Sequence, residues 1–383
     1  MTKNEELLNN TIRTCNTGTI SITAKVTKRC NIRPACEYCY DFEAQSDNKE
    51  FDMSTQTLDN LIKKSVGSGD FNRVIFVWHG GEPLVVGKKF YQKALEFQDK
   101  YNSGKVIIEN RLQTNAVAMD RAWINFLKTH NFKMESSFDA FDNDKSRGKS
   151  QQVLRNLLLA KDMDYAPGNV MFIVTKRNVN RLKEAYDYFN KRELNFTPSP
   201  IISLGQACQY KELSITPEEY GHSVVDLMDY ILKQPKPKIK VRFIDAVLRS
   251  VLGFEQNLCS HGFCAYQFIA SESSGEIYPC AKVDQPEWSF GNINELDKLS
   301  DIFSTEKYRK YGTAATNRLT DCLTENSGKP CEVFQHCKGG CASNSLAAGG
   351  YSKRDFYCTA YRIVFNHALN VRAELLKQLN NGG

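Results

Sequence analysis

Apolar residues in the first two thirds of the chain follow two alternating patterns. Short runs rich in β-branched residues, typical of buried strands, alternate with longer stretches in which apolar residues recur at helical spacing. The predicted strands are Ile20–Val26, Val74–Trp78, Val106–Ile108, Lys133–Ser137, Val170–Val174, Asn195–Pro200 and Val241–Ile244. The predicted helices are Leu58–Ser65, Phe90–Tyr101, Ala122–Thr129, Val153–Met163, Val179–Asn190 and Pro217–Leu232. Such alternation indicates parallel βαβ units. About six units are too few to close an eight-stranded barrel, so the pattern predicts an open, partial (β/α)6 barrel.

The alternation fades after about residue 246, where cysteines become frequent. We therefore expect three parts in the chain. Residues 1–19 form an N-terminal extension, residues 20–245 form the partial barrel, and residues 246–383 form a small cysteine-rich domain with a C-terminal helix.

The composition is that of an ordinary globular protein, with 41% hydrophobic and 25% charged residues. No apolar run reaches the roughly 18–20 residues that cross a bilayer, and the polar start lacks a signal-peptide core. These features predict a cytoplasmic protein that has no membrane partner. In a reducing compartment, 13 cysteines indicate metal binding or catalysis and not a set of disulfides.

The net charge of +6 does not point to a nucleic-acid partner. The densest basic stretch, residues 233–240, is interrupted by two prolines and fits a solvated connector.

Three cysteines follow the first predicted strand at C-x5-C-x2-C spacing: Cys30, Cys36 and Cys39. Three thiolates can hold three irons of a [4Fe–4S] cluster and leave the fourth iron open to a small molecule, which a four-thiolate electron carrier cannot do. On spacing alone, a zinc knuckle is the alternative.

Further candidate ligand contacts lie at the ends of predicted strands. The sequence Trp78-His-Gly-Gly-Glu-Pro83 follows the second strand, where two glycines allow a close backbone approach and Glu82 offers an anion to an ammonium group. Asn115 lies in a polar segment after the third predicted strand and Ser137 ends the fourth, and the carboxyl ends of barrel strands commonly carry ligand contacts. A plain strand exit and strand-end capping are the respective alternatives.

Together these motifs resemble the radical S-adenosylmethionine (SAM) superfamily, in which the usual spacing is C-x3-C-x2-C. Tyr38 fits the aromatic residue that precedes the last cysteine in that family. The resemblance implies SAM bound at the open iron, with contacts from Tyr38, His79, Gly80, Gly81, Glu82, Asn115 and Ser137.

The eight cysteines after residue 246 resemble the SPASM domain, which carries two auxiliary [4Fe–4S] clusters and so raises the expected total to three. Following that family, the inner cluster would take Cys259, Cys264, Cys280 and Cys341, and the outer cluster would take Cys322, Cys331, Cys337 and Cys358. The chain departs from the pattern in one place, because eight residues separate Cys322 from Cys331 where two are usual. Cys15 and Cys208 are expected to lie outside the clusters.

Over residues 20–370 the chain is similar to anaerobic sulfatase-maturing enzymes, which oxidise serine or cysteine to formylglycine. Those enzymes have a proton-accepting aspartate where this chain has Ala281, and Asp284 is the candidate replacement. This mismatch led us to predict a different activity on a ribosomally made precursor peptide. The predicted reaction is an intramolecular crosslink, with a carbon–carbon bond to an aromatic ring favoured over a thioether.

Two alternatives stay open, namely formylglycine formation and, more remotely, a non-catalytic iron–sulfur protein of electron transfer. The expected partners are the precursor peptide and a reductant such as flavodoxin or ferredoxin.

Overall fold

The computed structural model describes residues 18–41, 48–255, 258–261, 264–283, 285–324 and 329–381. Within these ranges the strands form one nine-stranded sheet in the order β6-β5-β4-β3-β2-β1-β7-β8-β9. The strands are β1 Thr19–Lys25, β2 Arg73–His79, β3 Ile107–Thr114, β4 Lys133–Ser137, β5 Val170–Val174, β6 Phe196–Pro200, β7 Phe268–Ser271, β8 Glu276–Tyr278 and β9 Gly291–Asn292.

Strands β1 to β6 pair in parallel and in chain order, as successive βαβ units require. The connecting and following helices are α1 Thr55–Val66, α2 Lys88–Tyr101, α3 Arg121–Thr129, α4 Ser150–Asp162, α5 Leu182–Asn190, α6 Pro217–Leu232, α7 Arg242–Val251, α8 Glu306–Leu323 and α9 Cys358–Asn381. Shorter helices span Asn143–Ser146, Phe334–Cys337 and Ala342–Ala347. The predicted partial (β/α)6 barrel is confirmed.

Successive side chains of β2 face either the core under the helices or the interior of the barrel. Val74, Phe76 and Trp78 are fully buried beneath the helices. Val77 and His79 point to the opposite face, because successive side chains of a strand alternate. This places a histidine at the carboxyl end of the strand, inside the barrel.

The cysteine-rich part continues the same sheet. Strand β7 pairs in parallel with β1, and β8 and β9 add an antiparallel extension. The long helix α9 returns to pack against α6 and α7. The predicted division at residue 245 stays a prediction.

The predicted strand Val241–Ile244 is wrong. Val241 makes an isolated bridge with Phe196, and helix α7 then begins at Arg242. The apolar run fits a helix because Phe243, Val247 and Val251 repeat at helical spacing and are buried. Short apolar runs do not distinguish a buried helix from a strand.

Strand β3 extends well beyond the predicted Val106–Ile108, through a polar stretch. Asn110 accepts hydrogen bonds from Trp78 Nε1 and Gln98 Nε2, both at 2.9 Å. Polar side chains are stable in this strand because neighbouring elements satisfy them. None of the helices in the described part of the chain combines the length and the hydrophobicity needed to cross a bilayer.

We predict that Gly221→Val destabilises the protein by about 1–3 kcal/mol, the typical cost of overpacking. A Cβ at Gly221 in α6 would lie 2.9 Å from the Cα of Ala360 in α9. Thermal unfolding of this variant is compared with that of Asp226→Val, which places the same side chain on the exposed face of α6. Equal stability of the two variants would contradict this account of the helix contact.

Candidate active site

A cavity of about 290 Å³ opens at the carboxyl ends of the barrel strands. Strands β2 to β6 each contribute to its wall, and the loop after β1 contributes Cys30, Cys36 and Cys39. The parallel arrangement explains this convergence, because all six strand ends point to the same side of the sheet. The cavity therefore collects side chains that are far apart in sequence.

Cys36 is buried, Cys30 and Cys39 are half-buried, and the three thiols lie near one another. Burial raises the pKa of Cys30 to about 11 and that of Cys39 to about 12, and the charge of Cys36 adds to both shifts. Thiols in such surroundings keep their protons unless a cation replaces them, and metal binding releases those protons. The three thiols line one wall of the cavity. Together they fit a [4Fe–4S] cluster with one open iron.

The glycine turn after β2 packs against the chain just before Cys30. A Cβ at Gly80 would lie 2.2 Å from the carbonyl oxygen of Thr27, and one at Gly81 would lie 2.3 Å from that of Arg29. The Gly81 N–H donates to Thr27 O at 2.9 Å. Both glycines also line the cavity. The protein's own backbone therefore requires glycine at both positions, and the predicted close approach of this turn to a ligand stays a prediction.

Glu82 is fully buried and does not line the cavity. Its carboxylate accepts hydrogen bonds from the backbone N–H of Leu84 at 3.0 Å, the hydroxyl of Thr114 at 2.7 Å and the backbone N–H of Asn115 at 2.7 Å. The predicted contact with a ligand ammonium does not fit this placement. Glu82 instead joins the end of β2 to the end of β3.

The other predicted SAM contacts, Tyr38, His79, Asn115 and Ser137, line the cavity. Asn115 Nδ2 lies 3.7 Å from Cys30 Sγ, and Ser137 Oγ accepts a hydrogen bond from Gln113 at 3.0 Å. Their placement agrees with a ligand role, which stays a prediction.

His79 is neutral in this position. Burial lowers its pKa to about 4. The backbone N–H of Gly80 donates to Nδ1 at 2.7 Å, which assigns the proton to Nε2. Nε2 lies 3.2 Å from the hydroxyl of Tyr40, so that His79 holds Tyr40 at the cavity wall.

Arg147 lines the cavity and has no motif that would identify it in the sequence. Its Nη1 donates to the Tyr38 hydroxyl at 3.2 Å, and that hydroxyl donates to the carboxylate of Asp139. Ser146 Oγ also donates to Asp139, at 2.6 Å. Arg147 supplies a cation that suits a small carboxylate ligand, and only the fold brings it to Tyr38 across 109 residues.

A second group of charges lies where the loop after β1 meets β7. Asp41 and Lys282 line the cavity. Asp41 Oδ2 lies 3.7 Å from Lys25 Nζ, which is 2.7 Å from Glu272 Oε1. Oδ2 is buried, and no described residue donates a hydrogen bond to it. The candidate base Asp284 lies outside the described residues.

The C-terminal cysteines form two groups. One narrow cavity is lined by Cys322, Cys331, Cys337 and Cys358. In the other group, burial and then the charge of Cys341 raise the pKa of Cys264 to about 12, and the charges of Cys259 and Cys280 add to this shift. These are the two sets that the resemblance implied, although their ligand roles stay predictions.

The unusual spacing between Cys322 and Cys331 has a local explanation. The backbone N–H of Cys331 donates to the carbonyl oxygen of Cys322 at 2.8 Å, so the two ends of the insert are adjacent. Cys208 is exposed and lies in neither group. Cys15 lies outside the described residues.

Comparison with known proteins agrees with this geometry. The model of the radical SAM superfamily matches residues 24–189, and that of the SPASM iron–sulfur cluster-binding domain matches residues 259–338. The chain belongs to the radical SAM/SPASM enzymes.

Two curated relatives match this radical SAM/SPASM enzyme over nearly its whole length. A serine-type anaerobic sulfatase-maturating enzyme of Bacteroides thetaiotaomicron is 27% identical, with 92% of this chain and 90% of the relative covered. A cysteine-type enzyme of Clostridium perfringens is 25% identical, with 88% and 93% covered.

The fold is similar to that of native anSMEcpe solved with bound AdoMet and the Cp18Cys peptide, with a TM-score of 0.77 and 22% identity over 94% of this chain and 99% of that one. The similarity to Streptococcus suis SuiB bound to the precursor peptide SuiA is weaker, with a TM-score of 0.59 and 14% identity over 93% and 80% of the chains.

These comparisons show that the predicted crosslinking activity is wrong. The near-full-length relatives are sulfatase-maturating enzymes, so the alternative of serine or cysteine oxidation is better supported. The mismatch at Ala281 concerns one side chain, whereas the similarity to the sulfatase-maturating enzymes extends over nearly the whole chain.

We predict that Gly81→Ala lowers iron loading and SAM cleavage together, because the new Cβ displaces the backbone that leads to Cys30. Iron and sulfide analysis after anaerobic reconstitution gives the first measurement, and 5′-deoxyadenosine release gives the second. Gly168→Ala is the control, since its Cβ would meet no atom closer than 3.7 Å. Normal iron loading in Gly81→Ala would contradict the packing account of this turn.

Proposed function

We propose that this enzyme oxidises a serine or cysteine side chain of a sulfatase-type protein substrate to formylglycine. The observation that carries the proposal is the similarity, over about nine tenths of both chains, to serine-type and cysteine-type anaerobic sulfatase-maturating enzymes. The cavity supports it, because a mostly apolar space at the strand ends that carries a few polar side chains suits a cofactor and an inserted side chain.

Three [4Fe–4S] clusters and SAM are the proposed cofactors. The loop after β1 would hold the first cluster through Cys30, Cys36 and Cys39, and the two C-terminal groups of four cysteines would hold the others. When bound, the first cluster and SAM would supply a hydrogen-abstracting radical, and the auxiliary clusters would supply an electron acceptor. A flavodoxin or ferredoxin is the proposed reductant.

The side chains around the cavity would bind and orient these groups. Arg147 offers its guanidinium to a carboxylate, and Asn115 and Ser137 offer hydrogen bonds at adjacent strand ends. His79 is neutral and fixes Tyr40 through Nε2, so the wall near the loop after β1 is rigid. Such fixed positions matter because a misplaced reactant lowers the rate steeply.

Oxidation of a CH2–OH group to an aldehyde, or of a CH2–SH group to a thioaldehyde, removes one hydrogen atom, one electron and one proton. Water then converts the thioaldehyde to the aldehyde and releases hydrogen sulfide. The chain itself must receive the proton, and a methyl group at Ala281 cannot do so. Among the described residues that line the cavity, Asp41 provides the one carboxylate. No described residue donates a hydrogen bond to its buried Oδ2, so this oxygen is not already engaged in a hydrogen bond within the described part of the chain.

Asp41 is held in place by its neighbours. Its backbone oxygen lies 3.4 Å from Cys39 Sγ, and Lys25 lies between its carboxylate and that of Glu272. Lys25 is 3% exposed, and its ammonium group stabilises the negative charges of the two carboxylates in this buried position. We infer that Asp41 takes the role that the aspartate after Cys280 has in the resembled family.

We predict that the reconstituted, reduced enzyme forms an aldehyde on a peptide that spans a sulfatase maturation site. The serine and cysteine forms of the peptide are tested separately, and a hydrazide reagent followed by fragmentation locates the aldehyde. SAM cleavage that leaves no aldehyde on either peptide, or a product in which two residues are joined, would contradict the proposed function.

We predict that Asp41→Asn lowers the rate of aldehyde formation by roughly 10²–10⁴-fold, the range expected for loss of a positioned base. Iron content and SAM cleavage without peptide serve as checks that the clusters remain. Asp226→Asn on the exposed face of α6 is the matched control.

Restoring a carboxylate at the family's position gives the decisive second variant. Ala281→Asp added to Asp41→Asn is expected to recover part of the lost rate. Full activity of Asp41→Asn alone would exclude Asp41 and shift the assignment to Asp284, which the corresponding Asp284→Asn variant tests.

A further inference from the structure

Arg318 in helix α8 is a buried cation that has no carboxylate partner among the described residues. It is 2% exposed. Its Nη1 donates to Ser345 Oγ and to the carbonyl oxygen of Tyr351, both at 3.2 Å. Its Nε is buried and finds no acceptor in the described part of the chain. A buried charge without a counter-ion is costly, so this arrangement calls for a missing anion.

The surroundings of Arg318 locate that anion. The guanidinium lies beside Gly339, where a Cβ would be 3.8 Å from Nε, and Gly339 lies between Cys337 of the outer group and Cys341 of the inner group. Its charge also acts on Cys264 of the inner group, opposing the effect of burial on that thiol. The arginine therefore lies next to the loop that connects the two cysteine groups.

The nearest buried carboxylate already has other partners. Asp355 accepts hydrogen bonds from the backbone N–H of Cys341 at 2.6 Å, from that of Tyr357 at 2.6 Å and from Asn344 Nδ2 at 3.1 Å. Arg318 donates none of these bonds. Asp355 thus fixes the cysteine loop. The charge of Arg318 opposes the rise that burial causes in the pKa of Asp355, but the two side chains form no hydrogen bond with each other.

Four thiolates around a [4Fe–4S] cluster give that cluster a net negative charge of about −2. We propose that Arg318 is the counter-cation of the inner auxiliary cluster and raises its reduction potential. This inference rests on the proposed function, in which that cluster takes one electron from the substrate. Its charge then becomes more negative by one unit, and a fixed guanidinium nearby stabilises the reduced form.

The alternative is that Arg318 only fills space and bonds to Ser345 and Tyr351. That role would affect stability and leave the potential unchanged. Arg318→Gln keeps hydrogen-bond donors and removes the charge, whereas Arg318→Lys keeps the charge. Ser345→Ala removes one hydrogen-bond partner of the arginine and is the control for packing.

The test is an anaerobic redox titration of the reconstituted full chain, followed by EPR spectroscopy, with no peptide present. Arg318→Gln is expected to lower the equilibrium constant for one-electron reduction of the inner cluster at least tenfold, which corresponds to about 59 mV. Arg318→Lys and Ser345→Ala are expected to stay near the wild-type potential. Because no turnover is measured, this result is independent of whether the peptide product is an aldehyde.

An unchanged potential in Arg318→Gln with full iron content would overturn the proposal. If Arg318→Gln loses the inner cluster, Arg318→Lys decides the question. A lysine variant that retains the cluster supports the need for a cation, and one that also loses the cluster shows that the shape of arginine matters and contradicts the proposal.

Discussion

The site depends on one close backbone contact. The turn at Gly80 and Gly81 lies against residues 27–29, and two backbone hydrogen bonds, Gly81 N–H to Thr27 O at 2.9 Å and Glu82 N–H to Arg29 O at 2.8 Å, join the two segments. No side chain fits between them. Since the cysteine loop begins at the next residue, this contact sets where the three thiols stand relative to the strand ends.

Buried polar groups then connect this contact to the rest of the cavity. The carboxylate of Glu82 ties β2 to β3, and that of Asp139 receives bonds from Tyr38, Ser146 and the backbone of Ile173. Networks of this kind are stable in a low-dielectric interior only when each group is satisfied. The cavity wall is consequently fixed before any cofactor binds, which suits chemistry that must confine a reactive radical.

The sequence was informative where a local pattern determines the structure. The β-branched runs located β1, β2, β4, β5 and β6, and cysteine spacing identified the first group of thiols. The division of the C-terminal cysteines into two groups came from the resemblance to the SPASM domain. Prediction from the sequence failed where contacts between distant segments determine the structure. The run at Val241–Ile244 is mostly helical, and the polar residues of β3 are satisfied by partners on other elements.

Arg147, Asp41 and Arg318 have no signal in the sequence, because their surroundings come from segments distant in the chain. The motif that contains Glu82 is visible in the sequence and predicts a ligand contact. The hydrogen bonds that Glu82 accepts from Thr114 and Asn115 cannot be read from the sequence. The crosslinking reaction predicted from Ala281 is wrong for the same reason, since a replacement carboxylate can come from a different loop.

In the proposed function, the cavity brings the β-carbon of a substrate serine or cysteine to the cofactor that cleaves SAM. The most direct measurement uses a sulfatase-type peptide deuterated at that β-carbon, with mass spectrometry of the 5′-deoxyadenosine released. Hydrogen abstraction from that β-carbon predicts that one deuterium appears in 5′-deoxyadenosine. Release of unlabelled 5′-deoxyadenosine, while the peptide is consumed and keeps both deuterium atoms, would contradict it.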